Sequence, residues 1–508
     1  MSQFASFPVL LPLFSGILLL LLPQRSVALQ RAVSLLLTVI LLGMSVSAFQ
    51  LVLNGDYHVI LLGDWSAPFG IVMVLDSLSA LMLVVTATLA VAALWYAIAS
   101  NTDQQGKYFH VLFQLQLFGL NGAFMTGDLF NLFVFFEVLL LASYGLLLHG
   151  GGRLRTRAGL HYVVLNLIGS TLFLFAVGTL YGMLGTLNIA DMAIAVQAVD
   201  AEDRGIVSAA ALMLLLVFGI KAAIFPVYLW LPGAYTYTTA PVAALFAIMT
   251  KVGLYAMIRV HGTLFSEDAG MLAFIHHDWL LALGLLTLLL GAFGVLAARI
   301  FRQQVAYLVL ASVATLMVAI GLTNETALSA GLYYLIHSTL IGAALFLLAD
   351  VIRLARGHHA DTFTKATPLA QPVLVGSVFM LLAVAVAGMP PLSGFFGKLM
   401  LLHAALAHHW YTAIATIILT SGLIMIVALV RTGSLFFYSV QSQPDKPAPA
   451  LNKPAFAAII GLLLVSPAMV LLAQPLTTLT TTIATQTGNH QAYINAVMRQ
   501  PEKAAVMP

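Results

Sequence analysis

Cysteine is missing from this 508-residue chain, and only 8% of its residues are charged. Without thiols it cannot form disulfides, thiolate metal sites or iron–sulfur clusters of its own. A soluble domain carries roughly 25% charged residues, so about two-thirds of the charge a wetted surface needs is absent. That shortage excludes a cytosolic enzyme, a nucleic-acid binder and a secreted module. The net charge of +3 gives no polyanion a reason to bind. No strand pattern is expected, so no glycine-rich loop can follow one to cradle a nucleotide phosphate. What the chain has instead is hydrocarbon: 61% apolar residues and a mean hydropathy of +1.02. Its solvent is lipid.

A bilayer core needs about 20 apolar residues per helix. Fourteen segments meet that need, near 4–22, 29–52, 76–98, 108–126, 129–148, 161–184, 208–230, 240–263, 276–298, 303–322, 327–352, 373–403, 408–437 and 453–474. The first is read as a retained span rather than a cleaved signal peptide, because Met1 to Phe7 has no positive charge. Loops after odd-numbered spans carry Arg25, Arg31, Lys107, Arg153, Arg155, Arg157, Arg299, Arg302, Arg353, Arg356, Lys365, Arg431, Lys446 and Lys453, whereas loops after even-numbered spans carry Arg204 and Arg259. By the positive-inside rule this bias puts the odd loops in the cytoplasm and both termini outside. The fold class is thus an all-α polytopic membrane protein. The stretch 53–75 can form a small outer hairpin, 441–454 reads as a Pro-rich cytoplasmic linker, and the Thr-rich tail from about 478 reads as frayed.

With the loop charges set aside, Lys221, Lys251 and Lys398 remain inside spans, together with Glu137 and His337. Glu137 is nine residues into its span, Lys221 fourteen and Lys251 twelve. At 1.5 Å per residue each lies roughly 12–20 Å from its point of entry, near the midplane. A charge there costs about 2.5–3.5 kcal/mol on insertion scales, and four together about 10–14 kcal/mol unless paired, hydrated or discharged. A structural ion pair could account for two of these residues, and snorkelling for a lysine near a span end, but not for the set. Burial disfavours a charged amine and a nearby carboxylate favours it, so a buried lysine beside a movable glutamate can hold or release a proton. Histidine titrates near neutrality. The mixture is a poor cage for sodium, which prefers oxygen ligands, and a good proton relay. No stripe of acceptors suits a sugar or an amino acid.

Two spans are interrupted. The seventh reads Phe218-Gly-Ile-Lys221-Ala-Ala-Ile-Phe-Pro226-Val-Tyr-Leu-Trp-Leu-Pro232, and the twelfth reads Ala387-Gly-Met-Pro390-Pro391-Leu-Ser-Gly394-Phe-Phe-Gly397-Lys398. Proline inside a span removes a backbone hydrogen bond, which lipid tolerates only where protein or water satisfies the freed carbonyl. Two broken spans five apart, each with a lysine, form the pattern of inverted repeats around a midplane site.

With these residues in view, the chain resembles the antiporter-like family that includes complex I membrane subunits, related hydrogenase subunits and Mrp-type multisubunit sodium/proton antiporters. The resemblance rests on Asp76-Ser-Leu-Ser, Gly127-Asp-Leu-Phe-Asn-Leu-Phe-Val-Phe-Phe-Glu137, Lys221 through Pro232-Gly-Ala-Tyr, Ala240-Pro-Val to Lys251, and Pro390-Pro391-Leu-Ser-Gly-Phe-Phe-Gly-Lys398. Within that family, Leu132 to Leu146 is most similar to the D-type component of Mrp antiporters. The resemblance implies fourteen helices with inverted five-helix repeats, helices 4–8 and 9–13. The chain then divides into three N-terminal helices (1–107), a first repeat (108–263), a second repeat (276–437) and a closing part with linker, last helix and tail (438–508). It further implies that Glu137 pairs with Lys221, that Lys251 passes protons to the centre, and that His337 and Lys398 continue the path. Relatives often carry a lysine one turn after the histidine, where this chain has Ile341 and Gly342.

The resemblance implies an ion-transporter subunit rather than an enzyme, in a bacterial inner membrane, with other antiporter subunits, protons and Na+ as its partners and no cofactor. The rivals are a proton-pumping subunit of a complex I-like oxidoreductase or membrane-bound hydrogenase, a scaffold subunit with a vestigial path, and a stand-alone secondary transporter. Asp76 and Asp128 suit helix N-caps, and Asp76 also stands as a candidate for proton uptake. His276, His277, His403, His408 and His409 read as interface histidines, His358 and His359 as loop residues, and no metal site is expected.

Overall fold

The computed structural model describes residues 5–23, 26–366, 368–439 and 450–499. Arg25, Lys446 and most of the Pro-rich linker lie outside the described residues. The chain is a helical bundle. Its elements are α1 (Phe7–Leu21), α2 (Val27–Leu51), β1 (His58–Leu61), β2 (Val72–Leu75), α3 (Ser77–Ala99), α4 (Phe109–Met125), α5 (Leu129–Leu148), α6 (Arg153–Leu184), the short α7 (Ile189–Gln197), α8 (Arg204–Ala222) and α9 (Trp230–Tyr237). They continue with α10 (Ala240–Leu264), α11 (His277–Ala297), α12 (Phe301–Gly321), α13 (Glu325–Ala355), α14 (Pro372–Ala387), α15 (Ser393–Ala404), α16 (Tyr411–Tyr438), α17 (Lys453–Leu471), α18 (Ala473–Gly488) and α19 (His490–Met498). Among the described residues, 11 helices are long and apolar enough to cross a membrane, and α1 and α14 are shorter apolar helices.

Burial sorts these helices into an inner and an outer set. In the most apolar window of each, α10 is 100% buried, α13 94% and α12 89%, against 28% for α2 and 33% for α16. The innermost helices are the ones that carry Lys251, His337 and the serine facing Lys251. Outer helices leave large apolar side chains such as Leu141, Leu160 and Leu423 exposed, as a lipid-facing surface requires. Glycine sets one contact of the inner set: a Cβ on Gly253 of α10 would stand 2.6 Å from the Phe218 carbonyl oxygen and the Ala222 nitrogen of α8.

The expected breaks are present. α8 stops at Ala222 because Ala223 adopts a left-handed conformation (φ 59°), and Pro226 lies in the irregular stretch before α9. α14 likewise stops at Ala387, and the chain turns at Gly388 (φ 80°), passes Pro390 and Pro391, and resumes as α15 at Ser393. The stretch 53–75 forms an antiparallel hairpin, β1 with β2, in register His58↔Leu75 to Leu61↔Val72. The hairpin expected over 53–75 is therefore present, and its two strands correct the expectation that the chain holds none.

The frayed reading of the tail is also corrected for residues 478–499; 500–508 lie outside the described residues. α18 and α19 pack against α13, α3 and α7. Thr482 and Thr487 bond back to the carbonyls of Thr478 and Ile483, four residues earlier, which hides their polarity within the helix. Ser329 bonds Thr480 and Thr481 at 3.0 and 3.1 Å, and Gln486 donates to the Gly55 carbonyl at 2.9 Å. Composition suggested a solvated tail. Specific long-range bonds order it.

One face of the bundle gathers the arginines, and acids neutralise several of them. Arg31 meets Asp103 at 2.7 Å, Arg302 meets Asp361 at 3.0 Å and Arg353 meets Asp350 at 2.6 Å, while Arg356 donates to the carbonyls of Ala360, Thr362 and Thr364. Arg353 and Asp350 stand three residues apart at the end of α13, a spacing that puts both side chains on one face.

Candidate functional site

Lys221 occupies the last turn of α8, with its side chain buried against the bundle. Its ammonium donates to Asn166 Oδ1 at 3.2 Å and lies 5.7 Å from the centre of the Phe136 ring. Both contacts suit a cation, and the C-terminal end of a helix carries the partial negative charge that favours one. The Asn166 amide nitrogen is already used, donating to the Tyr162 carbonyl at 2.9 Å, which leaves Oδ1 for the lysine. A cavity of about 10 Å³ adjoins Lys221 between Tyr162, Trp230 and Val252, room for about one water.

Glu137, on α5, is half-buried and accepts a hydrogen bond from the Ser170 hydroxyl. The direct Glu137–Lys221 pair implied by the resemblance is not formed; among the described residues neither takes part in an ion pair. Asn166 and Ser170 stand one turn apart on α6, on one helical face, and receive the lysine and the glutamate separately. The acid and the amine are therefore held on adjacent turns of a third helix. Sequence reasoning missed both α6 residues, although two polar side chains at i,i+4 within an apolar span were a usable signal.

Lys251 is fully buried in α10. Its ammonium reaches Ser312 Oγ on α12 at 3.5 Å, the outer limit of a hydrogen bond, and Ser312 itself donates to the Val309 carbonyl. Helix α12 packs on α13, which bears His337. His337 is 1% exposed, and its Nδ1 lies 2.7 Å from Ser393 Oγ, which in turn lies 2.7 Å from Ser466 Oγ of α17. Ser393 and Ser466 were not anticipated as partners, though Ser393 belongs to the Pro390–Gly394 motif. A Cβ on Gly394 would stand 2.7 Å from His337 Nε2, so the glycine is what lets α15 start against the imidazole.

Lys398 closes the series. Its ammonium donates to the Ala387 carbonyl at 2.8 Å, at the end of α14 and across the break from its own helix. Gly388 is required there twice over, by its positive φ and because a Cβ would stand 2.8 Å from Lys398 Cδ. Lys221 and Lys398 thus share one device: each ammonium sits at the C-terminal, partially negative end of the first half of a broken span. The breaks at Pro226 and at Pro390–Pro391 create those ends.

Asp76 has a second partner that the sequence did not reveal. It caps α3 reciprocally, accepting from the Ser79 N–H at 2.9 Å while Ser79 Oγ accepts from the Asp76 N–H at 2.9 Å. Its other oxygen meets the guanidinium of Arg259. Arg259, counted among loop cations by sequence, is in fact buried in α10. It also donates to Tyr255 Oη at 3.3 Å and covers the Tyr493 ring of α19 at 5.0 Å. Asp76 therefore serves as cap and counter-ion, and through Arg259 it fastens the terminal helix to the bundle.

Comparison with known proteins agrees with this architecture. Residues 126–424 match the NADH:quinone oxidoreductase/Mrp antiporter transmembrane family. A Rhizobium meliloti (strain 1021) protein, named as the D-type component of a probable K(+)/H(+) antiporter, is 41% identical over 85% of this chain and 86% of its own length. The corresponding D-type component of a Bacillus subtilis (strain 168) Na(+)/H(+) antiporter is 35% identical over 88% of this chain and 89% of its own. In three dimensions a chain of the Mrp complex from Dietzia sp. DQ12-45-1b superposes with a TM-score of 0.86 at 27% identity, covering 98% of this chain and 99% of that one. From the motifs, the bundle and these matches together, the chain belongs to the NADH:quinone oxidoreductase/Mrp antiporter transmembrane family.

Proposed function

We propose that this chain is the proton-translocating membrane subunit of a multisubunit monovalent cation/proton antiporter, and that Glu137, Lys221, Lys251, His337 and Lys398 are its relay. The observation that carries the relay is the placement of three lysines and a histidine in or against the most buried helices, each ligated by a neutral oxygen rather than neutralised by a carboxylate. Such groups can exchange a proton with water or with one another, because no ion pair fixes their charge. The proton moves from Glu137 and Lys221, held on adjacent turns of α6, through Lys251 and intervening water to His337 and Lys398. A shift of Glu137 away from Ser170 changes the field at Lys221 and triggers the transfer. Asp76 is left out of this path, since Arg259 already holds its free oxygen.

The arginine-rich face is the cytoplasmic one by charge bias, which puts both termini on the outer side of a bacterial inner membrane. The chain reads as fourteen spans, with 1–107, 108–263, 276–437 and 438–508 as its parts and the second and third of these as inverted repeats. The two D-type relatives are named for different cations, K(+) and Na(+), so the cation here is assigned by class, with Na+ favoured by the motif resemblance. The partners are the other antiporter subunits, because both relatives are named as subunits and the matching structure is a complex.

The test is exchange in vesicles carrying the assembled complex. Lys221→Ala and Glu137→Ala should each abolish cation/proton exchange while the complex still assembles. Wild-type exchange in either variant would refute the relay.

A further inference from the structure

Outside the relay, the largest concentration of unsatisfied titratable groups lies on the face opposite the arginines. His261 closes the π-type turn Met257–His261 of α10, a distortion frequent at functional sites. Its ring centre is 5.3 Å from that of His276, which is 4.1 Å from that of His277 at the start of α11. Nδ1 of all three rings is buried and has no hydrogen-bond partner. For His261 the tautomer follows from its other contact: Nε2 lies 2.9 Å from the Ala211 carbonyl, which can only accept, so Nε2 carries the proton and Nδ1 presents a lone pair. His276 and His277 line a cavity of about 140 Å³ with His490 of α19 and with Asn324 and Glu325 at the start of α13. That volume admits several waters. Among the described residues no three histidine or carboxylate groups converge as a metal ion needs, so the nitrogens are placed for protons rather than for a resident metal.

We propose that His261, His276 and His277, with His490 and Glu325 at the rim, form the outer proton port of this protein, exchanging protons between bulk water and the relay. The inference rests on the relay proposed above and names its mouth on the outer face. Three features support it. The groups come from separate elements, α10, α11, α13 and α19, which no local helix rule would bring together. They run from a cavity at the surface inward to a fully buried ring. And that innermost ring lies edge to face at 5.6 Å against Phe218, one turn before Lys221 on α8. From His261 to Lys251 along α10 the rise is about 15 Å, a gap for water to bridge.

The charged and titratable groups around the port come from each neighbouring element: Asp278 beside His277, His408 facing Asp278, Arg259 and Asp268 facing His490, and Glu325 on the cavity wall. The test uses the assembled complex in vesicles, driven by a cation gradient, with outer-face pH varied at fixed inner-face pH. The double variant His276→Gln/His277→Gln should lower turnover about tenfold or more, the scale on which a positioned proton-transfer group acts, and flatten the response to outer-face pH while that to inner-face pH persists. Should that variant fail to assemble, His490→Gln and Glu325→Gln, at the rim, decide instead: reduced turnover with a flattened outer-face response supports the port. Wild-type turnover and pH response in the assembled variants overturns it. Lys221→Ala separates the two readings, since exchange in that variant refutes the relay whatever the histidines do.

Discussion

Replacing Arg259 with methionine removes the counter-ion of a carboxylate that has nowhere else to turn. Asp76 is 1% exposed and Arg259 6% exposed, so the pair is held out of water, and breaking such a pair from one side costs about 3–5 kcal/mol because the remaining charge stays buried. Arg259 also covers the Tyr493 ring at 5.0 Å, and a desolvated cation–π contact contributes about 1–2 kcal/mol, which Tyr493→Leu alone should remove. Arg259→Met and Asp76→Asn should therefore each destabilise the protein by about 3–5 kcal/mol. The double variant Asp76→Asn/Arg259→Met should fall at least about 1 kcal/mol short of the sum of the two single losses, because it leaves neither charge buried alone while asparagine still caps α3. Denaturant unfolding of the purified complex measures the cycle, and limited proteolysis reports release of α19. A coupling energy below about 1 kcal/mol would refute the claim that Asp76 and Arg259 act as a unit.

Asn166→Leu deprives Lys221 of its amide oxygen; a hydrogen bond to a charged group is worth about 1.5–3 kcal/mol, so exchange should fall roughly 10–100-fold with assembly intact. Gly394→Ala would drive a Cβ into both the Ala385 carbonyl and the His337 ring and should slow exchange about tenfold or more, whereas Gly422→Ala, with open space around its Cβ position, should exchange normally; transport assays on the pair provide the contrast. On the arginine-rich face, burial would raise the Asp103 carboxyl, but hydrogen bonds from Arg31 and His110 outweigh it and hold Asp103 below its ordinary value. A lowered folded-state value stabilises the fold above the unfolded carboxyl's value of about 3.9 and is lost as pH falls below it. Unfolding followed from about pH 5 down to about pH 2, the range over which a depressed carboxylate loses its contribution, should show that acid loss in wild type and a smaller one in Asp103→Asn.

The sequence alone was enough for the solvent, the helical class and five of the ionisable residues inside the spans, Glu137, Lys221, Lys251, His337 and Lys398, because each follows from local rules. Hydrocarbon admits only structures that satisfy their own backbone, continuous runs of about 20 apolar residues make those structures helices, and an ionisable residue within one is costly enough to stand out. The breaks at Pro226 and Pro390–Pro391 were legible for the same reason: proline removes a donor whatever surrounds it. Pairing was a different matter. Glu137 and Lys221 stand on α5 and α8, and only the position of α6 between them decided that Ser170 and Asn166, rather than each other, would be their partners. Arg259 looked like one more loop cation until Asp76, 183 residues away, and Tyr493 closed over it. The Thr-rich tail was misread because composition reports average polarity, while the bonds of Ser329 and Gly55 to α18 depend on where a distant segment comes to rest. Which residues must be buried is set by transfer cost along the chain; which atoms satisfy them is set by helix packing, and that exists only in three dimensions.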